Sequence, residues 1–187
     1  MRVFVAMDLN EGVRQNIAQL MKELAPAARG ARWVQTDGMH VTLKFIGETV
    51  PEMVERVKTA LGDLRSAKPI EMSFRGVGCF PNERRPRVLW AGIEATPNLA
   101  EVRAEVERRL FLLGIAREER AFHPHLTLAR FKQPQSQPRL AEAMRELCAR
   151  EFGAVRTSEF HLYQSKLKPG GAEYERLATF AFTGPEK

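Results

Sequence analysis

Met39-His40-Val41-Thr42-Leu43-Lys44-Phe45-Ile46 is the stretch on which the fold turns, because its centre returns as His125-Leu126-Thr127-Leu128. Each copy lies in an apolar, β-branched setting, residues 39–46 and 122–131, and reads as a strand. Side chains alternate across a strand. Each His therefore shares a face with the Thr two residues on, while Val41 and Leu43 take the opposite face. The chain holds 4 His and 9 Thr in 187 residues. Chance puts a Thr at that offset from a given His about one time in twenty. Here it happens for two of the four.

Working outward, the elements around the two tetrads also repeat. Residues 2–9 read as a buried strand, Asn10 as a helix cap, and Val13, Ile17, Leu20, Met21 and Leu24 as one helix face. A turn at Asp37-Gly38 precedes the first His/Thr strand. Thr49 and Pro51 start a second helix, and residues 70–80 form a strand followed by a polar basic loop over 81–86 with Asn82, Arg84 and Arg85. The plan then recurs as a strand over 87–94, a helix from Thr96-Pro97 striped by Leu99, Val102, Val106 and Leu110, the second His/Thr strand, and a helix striped by Leu140, Met144 and Leu147. One strand over 154–167, a Gly170-Gly171 turn and a last strand over 174–182 complete the chain. Val3 and Val88 are 85 residues apart, as are His40 and His125; Pro51 and Pro138 are 87 apart. The constant offset predicts one domain, 1–187, made of half-repeats 1–85 and 86–187. The fold class is α+β, with two pseudo-symmetric lobes from an internal duplication. Each is an antiparallel sheet with helices packed outside, and together they flank a central cleft on which both His/Thr pairs face.

No stretch of 18 apolar residues appears, which argues against a membrane span. Met1 runs directly into Val3-Phe4-Val5-Ala6 without the regions of a secretory signal, so a cytoplasmic protein is expected. Cys79 and Cys148 fit neither a disulfide framework nor a metal knuckle, and their apolar surroundings predict buried, reduced thiols. The net charge of +6 favours a polyanionic partner such as RNA or a nucleotide phosphate, although Arg alternating with Glu along a helix also makes an ordinary solvated face.

An imidazole titrates near neutrality, so two facing rings form a general base and a general acid. Two hydroxyls beside them can donate to the non-bridging oxygens of a phosphoryl group. Such a set suits in-line displacement at phosphorus with no metal and no cofactor, and a cyclic phosphodiester fits best because its leaving oxygen stays tethered. A zinc set from His40, His123, His125 and His161 lacks the usual Cys or carboxylate ligands. Lys44, in phase with His40 and Thr42, can add positive charge at the site. Strict alternation turns Arg130 away from the His125 face, so it reaches a phosphate only if the strand ends or twists there. Phe45 falls out of phase with His40 and reads as core, and His123 and His161 read as loop and structural residues.

A family resemblance is carried by Arg2-Val3-Phe4-Val5-Ala6-Met7-Asp8-Leu9, Trp33-Val34, His40-Val41-Thr42-Leu43-Lys44-Phe45-Ile46-Gly47-Glu48, Val88-Leu89-Trp90-Ala91-Gly92, Phe122-His123-Pro124-His125-Leu126-Thr127-Leu128-Ala129-Arg130, and Ser165, Leu167 and Tyr174. The chain resembles the two-histidine (2H) phosphoesterases, and within them the RNA 2′,3′-cyclic phosphodiesterases once called 2′-5′ RNA ligases. The resemblance implies two α+β lobes about a cleft, His40 as proton donor to the leaving O3′, His125 as the base that activates water, Thr42 and Thr127 on the phosphate, and a 2′-phosphate product. It implies no obligate protein partner. The alternatives are ATP-independent 2′-5′ joining of RNA ends at the same site, and a non-catalytic RNA- or nucleotide-binding module.

Overall fold

In the computed structural model, which describes residues 1–168 and 171–182, the chain runs β1 (Arg2–Asp8), α1 (Glu11–Leu24), β2 (Ala31–Trp33), β3 (His40–Glu48), α2 (Pro51–Leu61), β4 (Ile70–Phe80), β5 (Val88–Ala95), α3 (Asn98–Leu112), β6 (His125–Phe131), α4 (Pro138–Glu146), β7 (Glu151–Thr157), β8 (Glu159–Lys168) and β9 (Gly171–Ala181). Asn10 caps α1 as its sequence position suggests, its side chain accepting the Val13 N–H at 2.9 Å. The expected stripe of five apolar residues is the buried face of that helix. The expected turn at Gly170-Gly171 begins outside the described residues.

The strands form two antiparallel sheets. One has the order β3-β1-β8-β9 and the other β2-β6-β5-β4-β7. The α+β class and the two lobes are as the sequence suggested, but the sheets do not follow the halves of the chain. β4 leaves the first half to pair with β5. β8 leaves the second half to pair with β1. Helices cross over in the same way: α1 lies against β7, with Asn16 donating to the Phe152 carbonyl at 3.0 Å, and α3 lies against β3. The main apolar core runs through both lobes, from Val3, Val5 and Met7 to Leu126 and Leu128.

The single strand expected over 154–167 is two strands in different sheets. Ser158 parts them, and the Thr157 hydroxyl holds the corner by accepting from the Glu159 N–H and donating to the Glu159 carbonyl. An uninterrupted β pattern conceals this because both pieces keep the apolar composition of strands. Cys79 is buried, but Cys148 is exposed in the loop after α4. Its carbonyl lies where a Cβ on Gly76 would come within 2.8 Å, so Gly76, at φ +68°, admits that loop only as glycine.

Candidate active site

Both His/Thr strands carry a bulge at the same place. Ala6 faces Thr42 and Val5 faces Lys44, which leaves Leu43 unpaired. Trp90 faces Thr127 and Leu89 faces Ala129, which leaves Leu128 unpaired. An extra residue in one strand reverses the facing of everything beyond it. His40 and Thr42 are partly exposed while Val41 and Leu43 are buried, but beyond the bulge Lys44 is buried and Phe45 is 60% exposed. In β6, His125, Thr127 and Arg130 look outward, and Leu126, Leu128, Ala129 and Phe131 look in.

Three expectations change as a result. Lys44 does not share the face of His40. Its ammonium, 5% exposed, pairs with Glu107 at 2.9 Å and donates to the Ala116 carbonyl at 2.6 Å, tying β3 to α3. Phe45 is on the face of His40 rather than in the core, with its ring 6.0 Å from that of Phe4. Arg130, turned away by strict alternation, is returned to the face of His125 and Thr127.

His40 lies on the ring of Phe4 (centroids 4.5 Å apart, nearly parallel), with Tyr163 at 5.9 Å and the edge of Tyr174 at 5.0 Å. Burial among these rings pushes its pKa down to about 4. A hydrogen bond to the backbone of Gly38 and the charge of Asp8, its cross-strand neighbour, work in the opposite direction. Asp8 accepts from the Tyr163 hydroxyl at 2.6 Å and pairs with Arg176, while His161, buried, has its Nε2 3.5 Å from the same carboxylate. Arg14 fastens the turn that leads into His40 by donating to the carbonyls of Thr36, Met39 and Leu9.

His125 is built alike. Its Nδ1 lies 2.7 Å from the His123 carbonyl. A carbonyl can only accept, so Nδ1 carries the proton and Nε2 keeps a lone pair. Burial lowers the pKa of this ring too, against that hydrogen bond and with the help of Arg130. Phe80 meets the ring edge-on at 5.0 Å and is backed by Trp90 at 5.2 Å. Gly78 leaves room for the Trp90 ring, which would come within 2.3 Å of a Cβ there. His123 contributes its backbone. Among the described residues neither Thr42 nor Thr127 spends its hydroxyl on another protein group.

β3 and β6 belong to different sheets but approach within 8 Å of one another. Between the sheets lies a cavity of about 290 Å³ lined by Arg32, Trp33, Arg130 and Tyr174 among others, so it joins the Arg130 side of β6 to the tyrosine against His40. Among the described residues no three His, Cys, Asp or Glu side chains converge as metal ligands.

The family model of LigT-like phosphoesterases matches this chain over residues 7–90 and 93–174. The chain belongs to that family. Each matched segment of the LigT-like chain contains one His/Thr strand. A curated relative, the RNA 2′,3′-cyclic phosphodiesterase of Methanothermobacter thermautotrophicus, is 36% identical over 180 residues, spanning 96% of this chain and 97% of its own. The protein of the same name from Thermus thermophilus is 38% identical over 195 aligned residues, 98% and 91% of the two chains. Among solved structures, TT0787 of Thermus thermophilus superposes with a TM-score of 0.81 at 31% identity over all of both chains. E. coli LigT complexed with 3′-AMP superposes with a TM-score of 0.79 at 26% identity over 98% of each.

Residues of this LigT-like chain that surround the two imidazoles and that sequence reasoning passed over are Phe4, Asp8, Phe80, Tyr163 and Arg176. For Phe4 the signal is that β1 is apolar on both faces: Val3, Val5 and Met7 serve the main core, and Phe4 and Ala6 form a second cluster with Tyr163 under His40.

Proposed function

We propose that this protein hydrolyses the 2′,3′-cyclic phosphodiester at the end of an RNA or nucleotide and releases a 2′-phosphate. One observation carries the reading: two His/Thr pairs on equivalently bulged strands, each ring bonded to the backbone two residues before it. His125 takes a proton from water at Nε2, the water oxygen forms the new bond to phosphorus, the P–O3′ bond breaks, and O3′ receives its proton from His40. The direction of this assignment follows the family resemblance, since the two halves are pseudo-equivalent. Thr42 and Thr127 donate to the non-bridging oxygens. Arg130 supplies positive charge beside His125, and Phe45 offers an exposed ring beside His40 on which a base can stack. Acid/base transfer and charge stabilisation account for each step, so the reaction is expected to run without a metal or a cofactor. RNA is the expected partner, and the two unpaired thiols suit a reducing, cytoplasmic setting.

The test is incubation with an oligoribonucleotide ended by a 2′,3′-cyclic phosphate in EDTA, with 2′- and 3′-phosphate products resolved. A 2′-phosphate product, lost in His40→Ala and in His125→Ala with the fold intact, supports the reading. A 3′-phosphate product, or turnover by either variant, overturns it.

A further inference from the structure

The two strands beside the interlobe cavity lead out of it together. Arg32 on β2 and Arg130 on β6 are cross-strand partners and line that cavity. Two residues on, just beyond the ends of β2 and β6, Gly30 and Lys132 line a second cavity of about 680 Å³, no more than about 7 Å away along either chain segment. This second cavity lies between the loop after α1 and the segment joining β6 to α4. Its exposed cations are Arg29, Lys132 and Arg139, and no carboxylate lines it. None of the three is ion-paired among the described residues, whereas Arg103, Arg108, Arg109 and Arg150 all are. The first turn of α4 opens on the cavity without an acidic residue, so its free N–H groups add to the positive field. Gln137 stitches the two walls: its Nε2 donates to the Arg29 carbonyl at 3.0 Å, and its Oε1 has no partner among the described residues.

We propose that this second cavity holds the RNA chain upstream of the cyclic end, with Arg29, Lys132 and Arg139 on its phosphates. The proposal rests on the phosphodiesterase reading above and extends it from a terminal nucleotide to a polynucleotide substrate. A cationic groove followed by an aromatic ring, here Trp33 in the adjoining cavity, is how single strands are held: charge tracks the backbone and rings take the bases. The amides of Gln133 and Gln135 can bond 2′-hydroxyls along the way. Among the described residues the exposed large apolar ones, Met1, Phe45, Val50, Phe111, Leu112 and Leu167, are all outside this cavity, unlike the apolar centre of a protein-docking surface.

The test compares two substrates, a short oligoribonucleotide with a 2′,3′-cyclic phosphate and adenosine 2′,3′-cyclic phosphate, on the full chain carrying Arg29→Ala, Lys132→Ala and Arg139→Ala. KM for the oligonucleotide is expected to rise about tenfold or more with kcat unchanged, and its slope against log salt to flatten by about 2. Kinetics on the mononucleotide are expected to stay as in the wild type. A charge-matched control, Arg2→Ala, Arg56→Ala and Lys68→Ala, is expected to move neither. An unchanged oligonucleotide KM, an equal shift on the mononucleotide, or an equal loss in the control overturns the proposal. If the wild type turns over neither substrate, the phosphodiesterase reading has failed by itself. The groove is then judged by fluorescence anisotropy with the same oligonucleotide, where equal affinity of wild type and triple variant overturns it.

Discussion

His40 is held at a pKa of about 4 by burial among Phe4, Tyr163 and Tyr174, and burial lowers His125 as well. In the proposed mechanism the productive form of the free enzyme has His40 protonated and His125 neutral, so the rate is expected to rise as His125 loses its proton and to fall as His40 does. With both values below the ordinary ~6.5, the bell of kcat/KM against pH is expected to peak below pH 6.5. The kcat bell is expected at higher pH, because the anionic phosphate of a bound substrate would favour protonated His40. A kcat/KM maximum above pH 7 contradicts the pairing. Asp8 supports the charged form of His40, so Asp8→Asn is expected to move the His40 limb further toward acid. The same shifts act on stability. An unfolded His binds its proton near pH 6.5 and these folded ones bind it lower, so stability is full above that range and is lost as pH falls toward about 4. For His40 alone the loss approaches about 3 kcal/mol, at about 1.36 for each unit of pKa. Thermal unfolding of His40→Gln between pH 7 and 4 is expected to show a shallower decline than the wild type.

The bulges at Leu43 and Leu128 are the decisive features at the level of the strand. A reading by strict alternation is correct for four residues in each copy and inverted afterwards. The extra residue is defined by pairing to β1 and β5, whose facing residues are far away in sequence from the bulges they set. Placement of Lys44 and Phe45 makes two opposite predictions. Phe45→Ala is expected to raise KM for a nucleotide substrate several-fold with kcat little changed, because stacking holds substrate and transition state equally. Lys44→Met leaves buried Glu107 with Arg103 and the Glu118 N–H as partners but without its lysine, and is expected to cost about 1–3 kcal/mol of stability while KM stays put. A raised KM in the folded Lys44 variant would return that residue to the site. Helices were legible throughout, since caps and 3.6-residue stripes are local properties: Asn10 and the five buried residues of α1 stand where the sequence put them.

Across the whole molecule the halves exchange strands, and neither half of the chain holds a complete sheet. β4 sits between β5 and β7, and β8 between β1 and β9. Fragments 1–85 and 86–187 are therefore expected to be unfolded singly by circular dichroism, and the intact chain to melt in one transition. A fragment that melts cooperatively by itself would show the halves to be independent. What the amino-acid sequence determined alone was everything with a short period: which residues are helical, which are extended, that the plan occurs twice, and that His40 and Thr42, like His125 and Thr127, share one face of a strand. Tertiary structure decided which sheet each strand joins, where Ser158 breaks one apparent strand into two, and which way Lys44, Phe45 and Arg130 face. The reason is physical. Periodicity reports the environment of neighbouring residues in the chain, whereas strand partners and bulges are settled by hydrogen bonds between segments far apart, which leave no periodic mark in either segment.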